Sequence, residues 1–214
     1  MPCVSILRTA LPLTLLASCA ALVVALTYHL TREPIARQAR LAQEQELLEI
    51  VPRNRHDNAM LDDTIAVGPQ DKGLGLTAQR RIHIARLHGD VVAVILPVIA
   101  PDGFAGDIEL RVGVNRDGSI AGVRVVEHHE TAGLGDRIEL EHSEWLLGFN
   151  GRSLENPAMD AWAVRRDHGA FDQFTGATIT PRAVVTATKR ALQFARDNRA
   201  RLFGDASPAP TRSY

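Results

Sequence analysis

Ile108-Glu109-Leu110-Arg111-Val112-Gly113-Val114-Asn115-Arg116-Asp117-Gly118-Ser119-Ile120 is the stretch that decides the fold of this chain. Ile108, Leu110, Val112 and Val114 alternate with Glu109, Arg111 and Gly113. Successive side chains of a strand point to opposite faces, so a period of two marks a half-buried strand. Asn115-Arg116-Asp117-Gly118 supplies turn residues, and the apolar run 120–126 returns. Together they predict a β-hairpin. Upstream, Ile82, Ile84 and the run 91–96 predict two more strands around a His88-Gly89-Asp90 turn, with Pro97 and Pro101 marking the exit. Residues 53–76 are polar and predict loops with at most one short element. Gly73 and Gly75 in that segment read as turn residues more readily than as a phosphate cradle.

Downstream of the hairpin, residues 140–149 predict a short helix or turn carrying Trp145, and residues 162–164 a short strand. Val184, Thr188, Ala191, Leu192, Ala195 and Leu202 then share one helical face. Thr180-Pro181 has the form of an N-cap followed by the first helical residue. Thr178 therefore falls in a loop just ahead of a helix N-terminus. Unpaired backbone N–H groups and the helix dipole favour an anion at such a place, and a threonine hydroxyl held there can carry a phosphoester. The tail from Gly204, with Ser-Pro-Ala-Pro, predicts disorder. The expected class is α+β: a mostly antiparallel sheet with packed helices.

Composition narrows the function. The chain has 214 residues, which fits one domain plus additions. A net charge of −1 without a basic block leaves no electrostatic footprint for nucleic acid. Both cysteines, Cys3 and Cys19, lie near the start, which removes thiol nucleophiles, iron–sulfur ligation and cysteine zinc sites from the remainder. No internal repeat, Gly-x-Ser-x-Gly elbow, Walker loop or Rossmann fingerprint is present.

Residues 9–30 contain no Asp, Glu, Lys or Arg and are rich in Leu, Ala and Val. About 20 such residues span a bilayer as a helix, so this segment predicts a single transmembrane anchor. A cleaved signal peptide has a shorter apolar core. Leu16-Ala17-Ser18-Cys19 has the look of a lipoprotein cleavage box, but the apolar run continues through Leu26. Arg32, Arg37 and Arg40 follow the span while only Arg8 precedes it, and counting positive charges alone puts the C-terminal part in the cytoplasm. Residues 34–50 predict an amphipathic helix, ended by Val51-Pro52.

Asp172-Gln173-Phe174-Thr175-Gly176-Ala177-Thr178 resembles the flavinylation motif of the bacterial FMN-binding domain family. His128-His129-Glu130-Thr131-Ala132-Gly133-Leu134-Gly135-Asp136 is similar to a second segment found in the G subunits of Rnf/Rsx-type electron transport complexes. Those proteins are related to the C subunit of the sodium-pumping NADH:quinone reductase. The resemblance covers most of the chain. It departs at Ala132, where the family usually has Pro, and at Asp167-His168-Gly169-Ala170, where a more glycine-rich approach is usual. It implies an FMN-binding domain over 81–203, behind an anchor at 9–30, a cytoplasmic N-terminus at 1–8, a juxtamembrane segment at 31–80 and the tail 204–214. It implies FMN joined through its phosphate to Thr178 by a separate flavin transferase that uses FAD. It also implies partner membrane subunits, a bacterial inner membrane location with the flavin domain on the periplasmic side, and electron transfer between ferredoxin and NAD(H) pools coupled to ion movement. In some bacteria such a complex instead keeps a redox regulator reduced. The chain is then an electron carrier, not a catalyst by itself.

Under that resemblance Gly176 lets backbone approach the phosphate, Ala177 keeps the turn small, and Thr175 and Thr180 offer hydroxyls to phosphate oxygens. Asp172 orients the loop or helps bind the transferase metal; a plain turn or capping role is the alternative. Glu130, Thr131, Gly133, Leu134 and Gly135 form a second wall, with Leu134 against the ring; a plain hairpin-exit loop is the alternative. Trp145 and Trp162 read as core residues before flavin contacts. His128, His129 and Glu130 adjoin on an extended segment and point to alternate faces, which disfavours a shared metal. His83, His88 and His142 read as surface residues. Two other classes stay open: a sensory membrane protein using the same domain, and an assembly subunit whose threonine is never modified.

Overall fold

The computed structural model describes residues 3–204, without the side chains of 3–11 and 13. The predicted disordered tail lies outside the described residues apart from Gly204. A single helix α1 (Cys3–Ile50) opens the chain. The chain divides into two compact units, 1–44 and 45–214. In the first, Leu15, Leu16, Leu22, Val23 and Val24 are all exposed. Thr27 and Thr31 donate their hydroxyls to the carbonyls of Val23 and Thr27, each at 2.8 Å. This keeps their polar atoms paired inside the helix. α1 is long and apolar enough to cross a membrane. Sequence reading separated an anchor at 9–30 from a helix at 34–50. The structure joins them, with Pro34 inside the helix, and ends the helix at Ile50, just before the Val51-Pro52 pair.

The second unit is built on five antiparallel strands in sequential order: β1 (Thr64–Val67), β2 (Arg80–Leu87), β3 (Asp90–Ala100), β4 (Ile108–Asn115) and β5 (Ile120–Glu127). The predicted hairpin is β4–β5, with Val112 opposite Val123 and Arg111 opposite Arg124. Ile108, Leu110, Val112 and Val114 are buried, as the alternation requires. β3 does not stop at Pro97 but continues to Ala100. Pro97 pairs with Arg111 of β4, while pairing with β2 already begins at Ile95. Its missing N–H therefore interrupts no rung on the β2 side.

Helix α2 (Ile179–Asp197) and the short α3 (Arg199–Phe203) follow, with a break at Asn198 where sequence reading drew one helix. Val184, Thr188, Ala191, Leu192, Ala195 and Leu202 are all buried, and the apolar members join the strand side chains in the main core. The opposite sheet face carries a smaller core of Leu47, Ile50, Val51, Met60, Ala85, Ala93 and Ile95. Gly113 and Gly122 are register partners there. A Cβ on Gly113 would come within 2.3 Å of Ile50 Cγ2, so glycine is needed for the end of α1 to lie on the sheet. Arg111 and Arg124 pin the same turn through Glu46 and Glu49.

Two further expectations change. Residues 162–164 form no strand; Val164 makes only an isolated bridge to Phe171, and Trp162 is buried in the core. His83 is half-buried on β2, with Nδ1 3.0 Å from the Met60 carbonyl, so it is not a surface residue. Desolvation holds its imidazole below the usual value, opposed by the Met60 bond and helped by Arg111 and Arg81.

Candidate functional site

Glu130 follows directly from the exit of β5 and is only 7% exposed. A buried carboxylate needs hydrogen-bond donors. It receives the Thr180 hydroxyl on Oε2 and the Ala105 N–H at 2.9 Å on Oε1. One side chain thereby ties together the β3–β4 loop, the loop after β5 and the first turn of α2. A Cβ on Gly135 would lie 2.8 Å from Glu130 Cβ and 3.2 Å from Thr180 Oγ1, so glycine is required at this crossing. His128 fixes the approach. Its Nδ1 accepts the Glu130 N–H at 3.0 Å, which leaves Nε2 to donate to Glu139 at 2.7 Å.

The loop 130–135 and the segment 176–180 face each other across a cleft of about 130 Å3. Glu130, Thr131, Leu134, Gly135, Gly176, Ala177, Thr178 and Thr180 line it, joined by Phe104 and Ile179. Both sequence segments singled out above therefore meet at one place. Gly133 supports the loop from outside the cleft, with a φ of 76° and its N–H bonded to Asp136 at 2.9 Å. Thr175 is exposed and does not line the cleft. Asp172 is exposed as well and pairs with Arg165 at 2.9 Å, while its carbonyl accepts the Trp145 indole N–H.

α2 begins two residues earlier than the Thr180-Pro181 signal implied, and Thr178 occupies the N-cap position. Its hydroxyl caps no backbone N–H, and Thr178 is partly exposed. The Thr180 hydroxyl is neither cap nor phosphate donor in this arrangement, because it is buried and committed to Glu130. Among the described residues the N–H groups of Thr178, Ile179 and Thr180 make no internal hydrogen bond. They are the orphan donors of a 19-residue helix. Gly176 has a φ of 87°, and a Cβ there would sit 3.3 Å from Leu134 Cδ2. The turn before Thr178 thus suits glycine on conformation and on space.

Sequence reading missed Phe104, Ile179 and Arg166 as participants. Phe104, flanked by Gly103 and Ala105, is 65% exposed at the cleft, with Leu134 at 42% and Ile179 at 44%. A phenylalanine between small residues, in a chain poor in aromatics, was the available signal. Arg166 places Nη1 3.5 Å from Thr178 Oγ1. Beside it, Arg182 forms a two-point pair with Asp167 at 2.6 and 2.9 Å. That hydrogen bond holds the Asp167 carboxyl below its usual range against slight desolvation, with the charges of Arg182, Arg166 and His168 adding to it.

A larger groove of about 970 Å3 runs along the outer edge of β5. Its lining sets Glu49, Glu127, Glu139 and Glu141 against Arg124, and it contains none of the motif threonines. The acidic excess repels phosphate, so the smaller cleft is the candidate site. Its donor set is three orphan N–H groups, an arginine and a threonine hydroxyl beside an apolar rim, which suits an anion.

Comparison with known proteins agrees on the class: residues 103–193 match the family model described as FMN-binding domain. This chain carries an FMN-binding domain. Residues 1–50 match a second family model, described as RnfG N-terminal region. The chain is 49% identical over 205 residues to the G subunit of the ion-translocating oxidoreductase complex of Pseudomonas aeruginosa, covering 96% of this chain and 95% of that one. It is 43% identical to the protein of the same name from Vibrio cholerae, covering 86% and 88%. With that of Aliivibrio fischeri the identity is 44%, covering 87% and 89%. The chain belongs to the family of G subunits of ion-translocating oxidoreductase complexes. Among the described residues one helix is long and apolar enough to span a membrane, and with this membership it fits a single-pass membrane protein.

Proposed function

We propose that this chain is a membrane-anchored flavoprotein subunit. It relays electrons through FMN joined by its phosphate to Thr178, within an Rnf/Rsx-type ion-translocating complex. The observation that carries the reading is the cleft itself. It sets a threonine hydroxyl that caps no backbone N–H at the start of α2, beside Arg166 and opposite the loop 130–135.

In the attachment step, Thr178 Oγ1 attacks the phosphorus on the FMN side of FAD. A new P–O bond to Thr178 replaces the anhydride P–O bond. AMP leaves with the bridging oxygen, and the hydroxyl proton passes to the transferase or to water. The product is a phosphodiester with one negative charge. The N–H groups of Thr178, Ile179 and Thr180 and the α2 dipole stabilise that charge. FMN, when bound, supplies transfer of electrons singly or in pairs. The chain binds and orients it. Leu134 and Phe104, exposed at the rim of the cleft, would offer apolar surface to the flavin. Covalent attachment prevents loss of the cofactor on the periplasmic face of the inner membrane, where this reading puts the flavin domain. The partners are the other membrane subunits of the complex and, during maturation, the flavin transferase. Ferredoxin/NAD-linked electron flow belongs to the whole complex.

Intact mass after co-expression with the flavin transferase tests the reading. The expected result is a chain heavier by one FMN less water, fluorescent on a denaturing gel. Thr178→Ala is expected to abolish both signals and leave the unfolding midpoint unchanged. An unmodified wild-type chain would sink the covalent reading and favour an assembly role. Flavin retained covalently by Thr178→Ala would sink the choice of residue.

A further inference from the structure

The tight turn before the motif carries two arginines and faces a third, Arg182 on α2; two of the three are paired with carboxylates. The turn is the short 3-10 segment Arg165–Asp167. It is stapled to the motif by Arg165 N–H to the Phe171 carbonyl at 2.7 Å and by Arg166 N–H to Gln173 Oε1 at 3.2 Å. Gly169 closes it; a Cβ there would fall 1.9 Å from the Ala163 carbonyl oxygen, so the return of the chain leaves no room for a side chain. Arg165 pairs with Asp172, and Arg182 with Asp167. Arg166 bonds no carboxylate among the described residues, and its guanidinium points to the Thr178 hydroxyl.

We propose that Arg166 is the positioning residue that holds the phosphodiester formed on Thr178. The proposal rests on the flavin reading above. A guanidinium presents planar paired donors that match phosphate oxygens, and a charge-assisted bond of this kind is stronger than a neutral one. The neighbouring carboxylates are hydrogen-bonded to Arg165 and Arg182, so the guanidinium donors of Arg166 are available to the incoming phosphate. The same contact draws the diphosphate of FAD toward the attacking oxygen, so Arg166 acts on the rate of attachment as well as on the geometry of the product.

The test follows covalent flavin over time by intact mass in the full chain co-expressed with the transferase. A second readout is the 31P resonance of the modified protein. Arg166→Gln is expected to slow incorporation about three- to tenfold, the modest range for an exposed ionic contact, and to shift the phosphodiester resonance. Arg166→Lys is expected to restore part of the rate. Raising salt from about 0.05 to 0.5 M is expected to slow the wild type and to affect Arg166→Gln little. Arg196→Gln, near the far end of α2, is expected to track the wild type. If Arg166→Gln folds poorly, the lysine variant and the wild-type salt dependence carry the test. Wild-type incorporation by Arg166→Gln, or slow incorporation without a 31P shift, would overturn the role. A wild-type chain that takes no flavin would instead overturn the parent reading, and this role with it.

Discussion

The wall formed by residues 130–135 is held by a buried polar network, whereas the wall formed by residues 172–178 is held by the core side chain of Phe174 and by ion pairs at the surface. In the first, a buried carboxylate takes donors from α2 and from the β3–β4 loop, and Gly135 leaves the room that the bond needs. In the second, Asp172, Thr175 and Gly176 are exposed, and ion pairs between exposed side chains hold the turn that leads in. Buried polar networks cost heavily when one member is lost, while exposed pairs contribute little. The first wall therefore sets the shape of the cleft, and the second carries the chemistry at small structural cost. A modifying enzyme needs that division, because Thr178 must stay reachable while its surroundings stay fixed.

The sharpest way to break the contrast is Glu130→Ala. It leaves the Ala105 N–H and the Thr180 hydroxyl without their acceptor, and the expected loss is about 2–4 kcal/mol in urea unfolding. Flavin incorporation is expected to fall with it, since α2 and the Phe104 loop lose their common anchor. Gly135→Ala comes next. The added methyl meets Glu130 Cβ at 2.8 Å, and the expected loss is about 1–3 kcal/mol by the same measurement. If either variant unfolds at the wild-type midpoint, the first wall is not the structural one. Thr178→Ala is the counterpart on the second wall, with flavin lost and stability kept.

The difference between the walls also decided what could be read from sequence. The second wall is local. Gly176, Ala177, Thr178 and the following helix are contiguous, and glycine and cap preferences report such geometry directly. The hairpin was legible for the same reason, since a period of two in 108–114 needs no knowledge of distant partners. The first wall depends on Glu130 meeting Thr180, which no local preference encodes. Thr180 accordingly read as a cap, although its hydroxyl is drawn inward by a carboxylate on another segment. Phe104 was missed because its role depends on what stands opposite. Pro97 read as a strand end because proline lacks an N–H. Only the register shows that pairing with β2 has stopped by that point.

The smallest expected effect concerns the pair that fastens the second wall, Asp167 with Arg182. Hydrogen bonding from Arg182 holds the Asp167 carboxyl below its ordinary value of 3.8. Near that pH the unfolded chain binds more protons at this group than the folded one, so stability rises with pH across the interval. The contribution is complete above 3.8 and is lost as pH falls through the lower folded value. Asp167→Asn removes the charge at every pH. The wild type is therefore expected to exceed the variant slightly at neutral pH, with the two unfolding midpoints converging as pH falls below the folded value of the carboxyl. Solvent screens this exposed pair, so the neutral-pH difference is expected to lie near the error of the measurement. The amide shifts of 165–169 report the same titration locally. A large loss of stability at neutral pH in Asp167→Asn would mean that the second wall is structural after all, and the division between the walls would fail at the turn that presents Arg166.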